Sequence, residues 1–182
     1  YHSFIQSKFL YCILVWGNPV QNRGALEHLL ILQKKIARII TFAPVLEGAK
    51  VHTPPIFHQL KMLTINEIYQ QQITCLARDI LTGQCTNVQI KLVVNHKFHA
   101  QNTRESENKF ALHVERTNTS IGDRGIKHSL EINWNILPEH IQSTFAKPRQ
   151  EFKTIIRDYI FRQHTDIFQR TEAQSPLVLT GN

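Results

Sequence analysis

The chain has 182 residues, 42% hydrophobic and 19% charged, with 21 Lys+Arg against 14 Asp+Glu and a net charge of +7. That length suits one domain or two small ones, and the apolar share supports a core, so wholesale disorder is excluded. The longest strongly apolar run, Phe9 to Trp16, covers eight residues, well short of the roughly 20 that a membrane-spanning helix needs.

Ser3 to Trp16 is mostly apolar and stops at Gly17-Asn18-Pro19. Its length fits a buried helix better than a strand. Leu26 to Phe42 carries the clearest amphipathic pattern, with Leu26, Leu29, Leu30, Ile36, Ile39 and Ile40 on one stripe. Lys34, Lys35 and Arg38 fall outside that stripe, Asn22 is the expected cap and Pro44 the stop. His52-Thr53-Pro54-Pro55 predicts a rigid turn, followed by a short helix over Ile56 to Leu60. Thr64-Ile65-Asn66-Glu67 matches a capping box and opens a helix to Leu81. Ile65, Ile68, Tyr69, Ile73, Leu76 and Ile80 make its apolar face, and Gly83 stands where a left-handed cap belongs.

From 84 to 125 the apolar residues lose helical spacing and polar ones dominate, which predicts a long loop with one or two short strands around Lys91-Leu92-Val93-Val94. Order returns at Ile126, where Trp134 is large enough to anchor a cluster, and Pro138 opens a short turn through Ile141. The last helix is expected over Pro148 to Arg162, burying Phe152, Ile155, Ile156, Tyr159 and Ile160, with a frayed tail beyond Gln163. The expected fold is mainly α: a compact unit of about five helices with one long irregular basic loop. Its parts divide as 1–83, 84–125, 126–163 and a tail over 164–182.

The basic excess, with a pI near 9.5, favours anionic partners, nucleic acid first, although many mildly basic domains bind none. Residues 1–50 hold six basic and two acidic side chains, while 51–90 hold two of each. Residues 91–128 hold seven basic, four acidic and four histidines. There Lys97, Arg104, Lys109, Arg116, Arg124 and Lys127 interleave with His96, His99, His113, Phe98 and Phe110. Cations that neutralise phosphates beside rings that stack on bases is the pairing used on single strands. A solvated loop with its few aromatics tucked onto the core is the alternative.

No positive sign of an active site appears. Cys75, Cys85, His96 and His99 are spaced too widely for the paired ligands of a zinc site. No Gly-x-Ser-x-Gly elbow or phosphate-binding glycine loop is present, and the aspartates are scattered. Three cysteines inside apolar or helical patterns read as buried reduced thiols of an intracellular protein. The chain opens at Tyr1, its only Met is Met62, and no signal-peptide pattern appears, so it reads as a piece of a longer polypeptide.

Several stretches, in order, resemble the region that follows the polymerase domain in non-LTR (LINE-type, jockey/CR1-like) reverse transcriptases. Tyr11-Cys12-Ile13-Leu14-Val15-Trp16-Gly17 is similar to a Tyr-x4-Trp-Gly segment, and Leu32-Gln33-Lys34-Lys35-Ile36-Ala37-Arg38-Ile39-Ile40 to a Leu-Gln-Lys-x3-Arg-x-Ile helix. His52-Thr53-Pro54-Pro55-Ile56-Phe57 with Leu60-Lys61-Met62-Leu63 resembles a His-Thr-x-Pro-Leu-Phe…Leu-Lys-Ile-Leu run. Asn102-Thr103-Arg104, Arg116-Thr117-Asn118, Trp134-Asn135-Ile136-Leu137-Pro138 and Phe152-Lys153 extend the resemblance over about residues 1–160. Ser129-Leu130-Glu131-Ile132 departs from an aromatic-Gln-Gly-Pro stretch, and Asn133 replaces a Leu before Trp134. The Tyr-x-Asp-Asp polymerase motif is absent, so no catalytic residue carries over.

The resemblance implies a non-catalytic, thumb-like part of an RNA-directed DNA polymerase, contacting template RNA or RNA–DNA hybrid, joined to the upstream polymerase domain, and residing in nucleus or cytoplasm. No cofactor and no independent activity are expected. Lys34, Lys35, Arg38, Arg104, Arg116 and Arg124 are the expected nucleic-acid contacts. A module that docks on the polymerase domain is the rival reading, favoured by an apolar surface around Phe4, Phe9 and Tyr11.

Overall fold

The computed structural model describes residues 1–42, 53–85, 89–94, 108–116, 118–119, 122 and 125–174. A π-helical turn, His2–Gln6, runs into α1 (Ser7–Leu10), followed by α2 (Ile13–Trp16) and α3 (Arg23–Ile40). Next come α4 (Thr53–Gln59), α5 (Ile65–Leu81), α6 (Ile126–Asn135) and α7 (Glu139–Gln142). A 3₁₀ turn, Ser143–Ala146, leads into α8 (Arg149–Gln174). The chain is mainly α, as expected, and α3, α4, α5, α6 and α8 are its longer helices. The β pairing among the described residues is one antiparallel bridge, Val94 to Leu112.

The core is built around α5, which packs against α1, α2, α3, α6, α8 and the 3₁₀ turn. Both its ends form as the local chemistry dictates. The Thr64 N–H donates to Glu67 Oε2 at 2.7 Å, closing the capping box. At the other end Gly83, at φ +70°, lets the Gln84 N–H reach the Asp79 carbonyl at 2.9 Å. Ile65, Ile68, Tyr69 and Ile73 are buried, and Leu76 and Ile80 pack partly exposed on the same cluster. Full burial of one such aliphatic side chain is worth about 1.5–3 kcal/mol, so this stripe is a large share of the drive to fold. Because neighbours cover α5 on several sides, it also buries Gln71, Thr74, Arg78 and Asp79.

Several expectations need correction. Ser3 to Trp16 is not one buried helix: it breaks at Tyr11-Cys12, where Cys12 takes φ +49° and the Trp16 indole N–H closes the turn on the Tyr11 carbonyl at 2.7 Å. Only Ile13 of that stretch is buried, and Phe4, Tyr11 and Val15 are exposed. On α3 the buried row is Leu26, Gln33 and Ala37, whereas Ile39 and Ile40 are exposed. Its apolar residues span a wider arc than α4 and α5 cover, and a polar residue with partners takes the middle. Asn22 does precede α3, but its amide donates to the Trp16 carbonyl at 2.7 Å instead of capping.

The proline pair lies inside α4, not before it. First-turn N–H groups have no intrahelical acceptor, so prolines fit there at little cost. The last helix continues to Gln174, past the expected end at Arg162, because the next Gly or Pro is Pro176. Not all three cysteines are buried: Cys12 is exposed and Cys85 intermediate. Cys75 is buried, and that burial pushes its thiol up to about 11.

Candidate nucleic-acid interface

The cations divide into those held by the fold and those left at the surface. Arg78 is 1% exposed. Its guanidinium donates to the Phe145 carbonyl (3.0 Å), Gln84 Oε1 (2.6 Å), Asp79 Oδ1 (2.9 Å) and the Lys147 carbonyl. The other Asp79 oxygen meets Arg149 Nε at 3.0 Å, so one buried carboxylate ties α5 to the start of α8. Lys147 pairs with Glu151, and Lys127 with Glu115 and, at 3.9 Å, Glu131. These charges are occupied by structure.

Lys34, Lys35 and Arg38 lie on α3. Gln33 anchors the inner side of α3: its amide donates to the Tyr1 hydroxyl (2.6 Å) and the Leu63 carbonyl (3.0 Å), and its oxygen accepts the Ile65 N–H (2.9 Å). With Gln33 fixed inward, Lys34 lies half-buried at the flank, while Lys35 and Arg38 are exposed. Lys34 and Arg38 are one helical turn apart, so they share a face. Neither Lys34 nor Lys35 makes an ion pair among the described residues.

Arg116 is exposed too, on a different element. Residues 108–116 are docked on α6 instead of forming a wholly irregular loop. The Trp134 indole donates to the Phe110 carbonyl at 2.9 Å, and the His113 N–H to the Val93 carbonyl at 2.8 Å. Leu112 is buried. Phe110 is half-buried and tilts against Phe145, with ring centroids 6.1 Å apart. Arg104, Arg124, Lys97, His96, Phe98 and His99 lie outside the described residues. The trio therefore shares one helix, α3, and Arg116 stands on a different element, the segment carried by α6.

Sequence reasoning missed the polar joints. A Cβ on Gly17 would stand 2.5 Å from the Ile13 carbonyl oxygen and 3.0 Å from the Tyr69 ring, so only glycine fits between them. Asn18, also buried, donates to Ser129 Oγ at 3.1 Å. Burial raises the Tyr69 hydroxyl above its ordinary value, partly offset by its own bond to Ser129. Gln142 donates to the Trp134 carbonyl at 2.8 Å and accepts from Asn108 at 2.9 Å. The signal was there in small form: polar residues at apolar-spaced positions, such as Gln33 between Leu26 and Ala37. Among the described residues no helix is long and apolar enough to cross a membrane. No protein-family model, curated protein or solved structure matches this chain.

Proposed function

We propose that this chain is the non-catalytic C-terminal part of a LINE-type reverse transcriptase, and that α3 contacts the template RNA or the RNA–DNA hybrid. The observation that carries the reading is the trio Lys34, Lys35 and Arg38 around the outer side of α3, directly beside the inward-fixed Gln33. The ordered set of resembling stretches supports it. Lysine and arginine on phosphates give binding that weakens steeply with salt. The test is titration of the purified chain with labelled RNA–DNA hybrid across a salt series. The triple reversal K34E/K35E/R38E should weaken binding and lower the salt slope by about 2–3, near 0.9 for each phosphate no longer neutralised. Unchanged affinity rejects this surface.

A second reading, docking on the upstream polymerase domain, draws on one observation. Phe4, Tyr11 and Val15 are 82%, 76% and 77% exposed within a single short segment, although Phe9 packs partly on the core. Polar substitution of those three should abolish co-purification with the polymerase domain while leaving hybrid binding intact.

A further inference from the structure

At the end of α4 the backbone reverses through a left-handed residue. The Met62 N–H bonds to the Phe57 carbonyl at 2.9 Å and the Lys61 N–H to the His58 carbonyl at 3.0 Å, with Lys61 at φ +50°. Glycine is the usual occupant of such a helix-terminating position, because any Cβ is crowded there. Lys61 stands in its place with its side chain exposed.

Its surroundings come from the other end of the chain. Arg157 of α8, 96 positions on, donates Nη2 to the Lys61 carbonyl at 2.8 Å. The same guanidinium lies 5.6 Å from the Phe161 ring centroid, and the His58 ring meets Phe161 edge-on at 6.4 Å and 88°. Among the described residues neither Lys61 nor Arg157 pairs with a carboxylate, in contrast to Arg78, Lys127, Lys147 and Arg149. Stacking and the carbonyl bond hold the Arg157 fork in one orientation, which suits bidentate recognition of a phosphate. Helix α4 packs on both α3 and α8, so this junction and the α3 trio belong to neighbouring helices.

We propose that Lys61 and Arg157, framed by His58 and Phe161, form a second phosphate site that extends the α3 surface across α4 along the backbone of a bound RNA–DNA hybrid. The inference rests on the nucleic-acid reading above. It explains why a charged residue occupies a position where glycine would relieve strain: the side chain serves the ligand at the expense of the turn.

The test uses Lys61→Gly and Lys61→Gln in the full chain, each followed by thermal unfolding and by hybrid titration across salt. Lys61→Gly should raise Tm by about 2–4 °C, because the left-handed strain is relieved. It should also weaken hybrid binding several-fold and lower the salt slope by about 0.9, the equivalent of one phosphate. Lys61→Gln should lose the same affinity at unchanged Tm, since charge goes and strain stays. A merely structural Lys61 moves Tm alone. If Lys61→Gly and Lys61→Gln bind as the parent does while K34E/K35E/R38E binds weakly, this site is wrong and the α3 reading stands. Failure of the parent chain to bind hybrid overturns both.

Discussion

Asn135 pairs with Leu112 as a neighbouring strand would. Its amide oxygen accepts the Leu112 N–H and its amide nitrogen donates to the Leu112 carbonyl, both at 2.8 Å. On the opposite edge the His113 N–H bonds to the Val93 carbonyl, as alternating backbone groups of an extended segment require. One helical side chain thus replaces a strand and fixes the segment that carries Arg116. Asn135→Ala should cost about 1–3 kcal/mol, because two backbone groups lose their partner. Asn135→Asp keeps the acceptor but sets a carboxylate against the Leu112 carbonyl, so its urea midpoint should fall at least as far. A midpoint equal to the parent's in either variant would show that the pairing adds nothing.

Gln33 is fully buried and serves three groups from two other segments. Gln33→Leu keeps the volume and strands the Leu63 carbonyl and the Ile65 N–H in the interior. A loss of about 2–4 kcal/mol in urea unfolding is expected. A smaller loss than that of an exposed control such as Lys35→Leu would mean those groups find other partners.

Arg78 bonds four acceptors that no single-point cation can reach together. Arg78→Met should cost about 3–5 kcal/mol, since two part-buried carbonyls lose their donor and the buried Asp79 carboxylate keeps only Arg149. Arg78→Lys should recover only a minor part of that loss, because an ammonium lacks the planar fork. Equal stability of parent and Arg78→Lys in calorimetry contradicts the geometry.

Glu131 is buried on α6, and burial, more than its neighbours, raises its carboxyl above the ordinary 4.5. The bond from the Glu115 N–H (3.4 Å) and the Lys127 ammonium pull the other way. A raised folded value means that the native state holds this proton more tightly than the unfolded chain. Its contribution is therefore full below pH 4.5 and is lost as pH rises through the folded value. Glu131→Gln, which keeps an acceptor for the Glu115 N–H, should gain up to about 1 kcal/mol at pH 7, or ~2–4 °C in Tm. The gain should vanish below pH 4. A variant less stable than the parent at pH 7 would make the Lys127 pairing the dominant effect.

Local chemistry was legible. The Thr64–Glu67 box and Gly83 act within a few residues of themselves, so the bounds of α5 follow from spacing alone. The exposure of Lys35 and Arg38 was legible for the same reason, since helical phase sets them off from Leu26. What stayed hidden depends on partners brought from far away. Gln33, Arg78 and Asn135 look like surface residues until Leu63, Lys147 and Leu112 arrive beside them. Ile39 shows the converse: expected on the apolar stripe, it is exposed. The docked segment 108–116 has no strong strand pattern, because Trp134 and Asn135 supply its pairing from outside.

The groups that complete α5 come late in the chain. Gln71 waits for the Lys153 carbonyl, and Arg78 for those of Phe145 and Lys147. During synthesis α5 therefore emerges after α1, α2 and α3 but before its contacts with α6 and α8, and before the late carbonyls that Gln71 and the Arg78 guanidinium bond. Closing loops of that size before any stabilising interaction forms slows folding. It also leaves a sticky intermediate for a translating ribosome to carry. A nonsense codon anywhere between α5 and α8 would yield a product that aggregates instead of a smaller working piece.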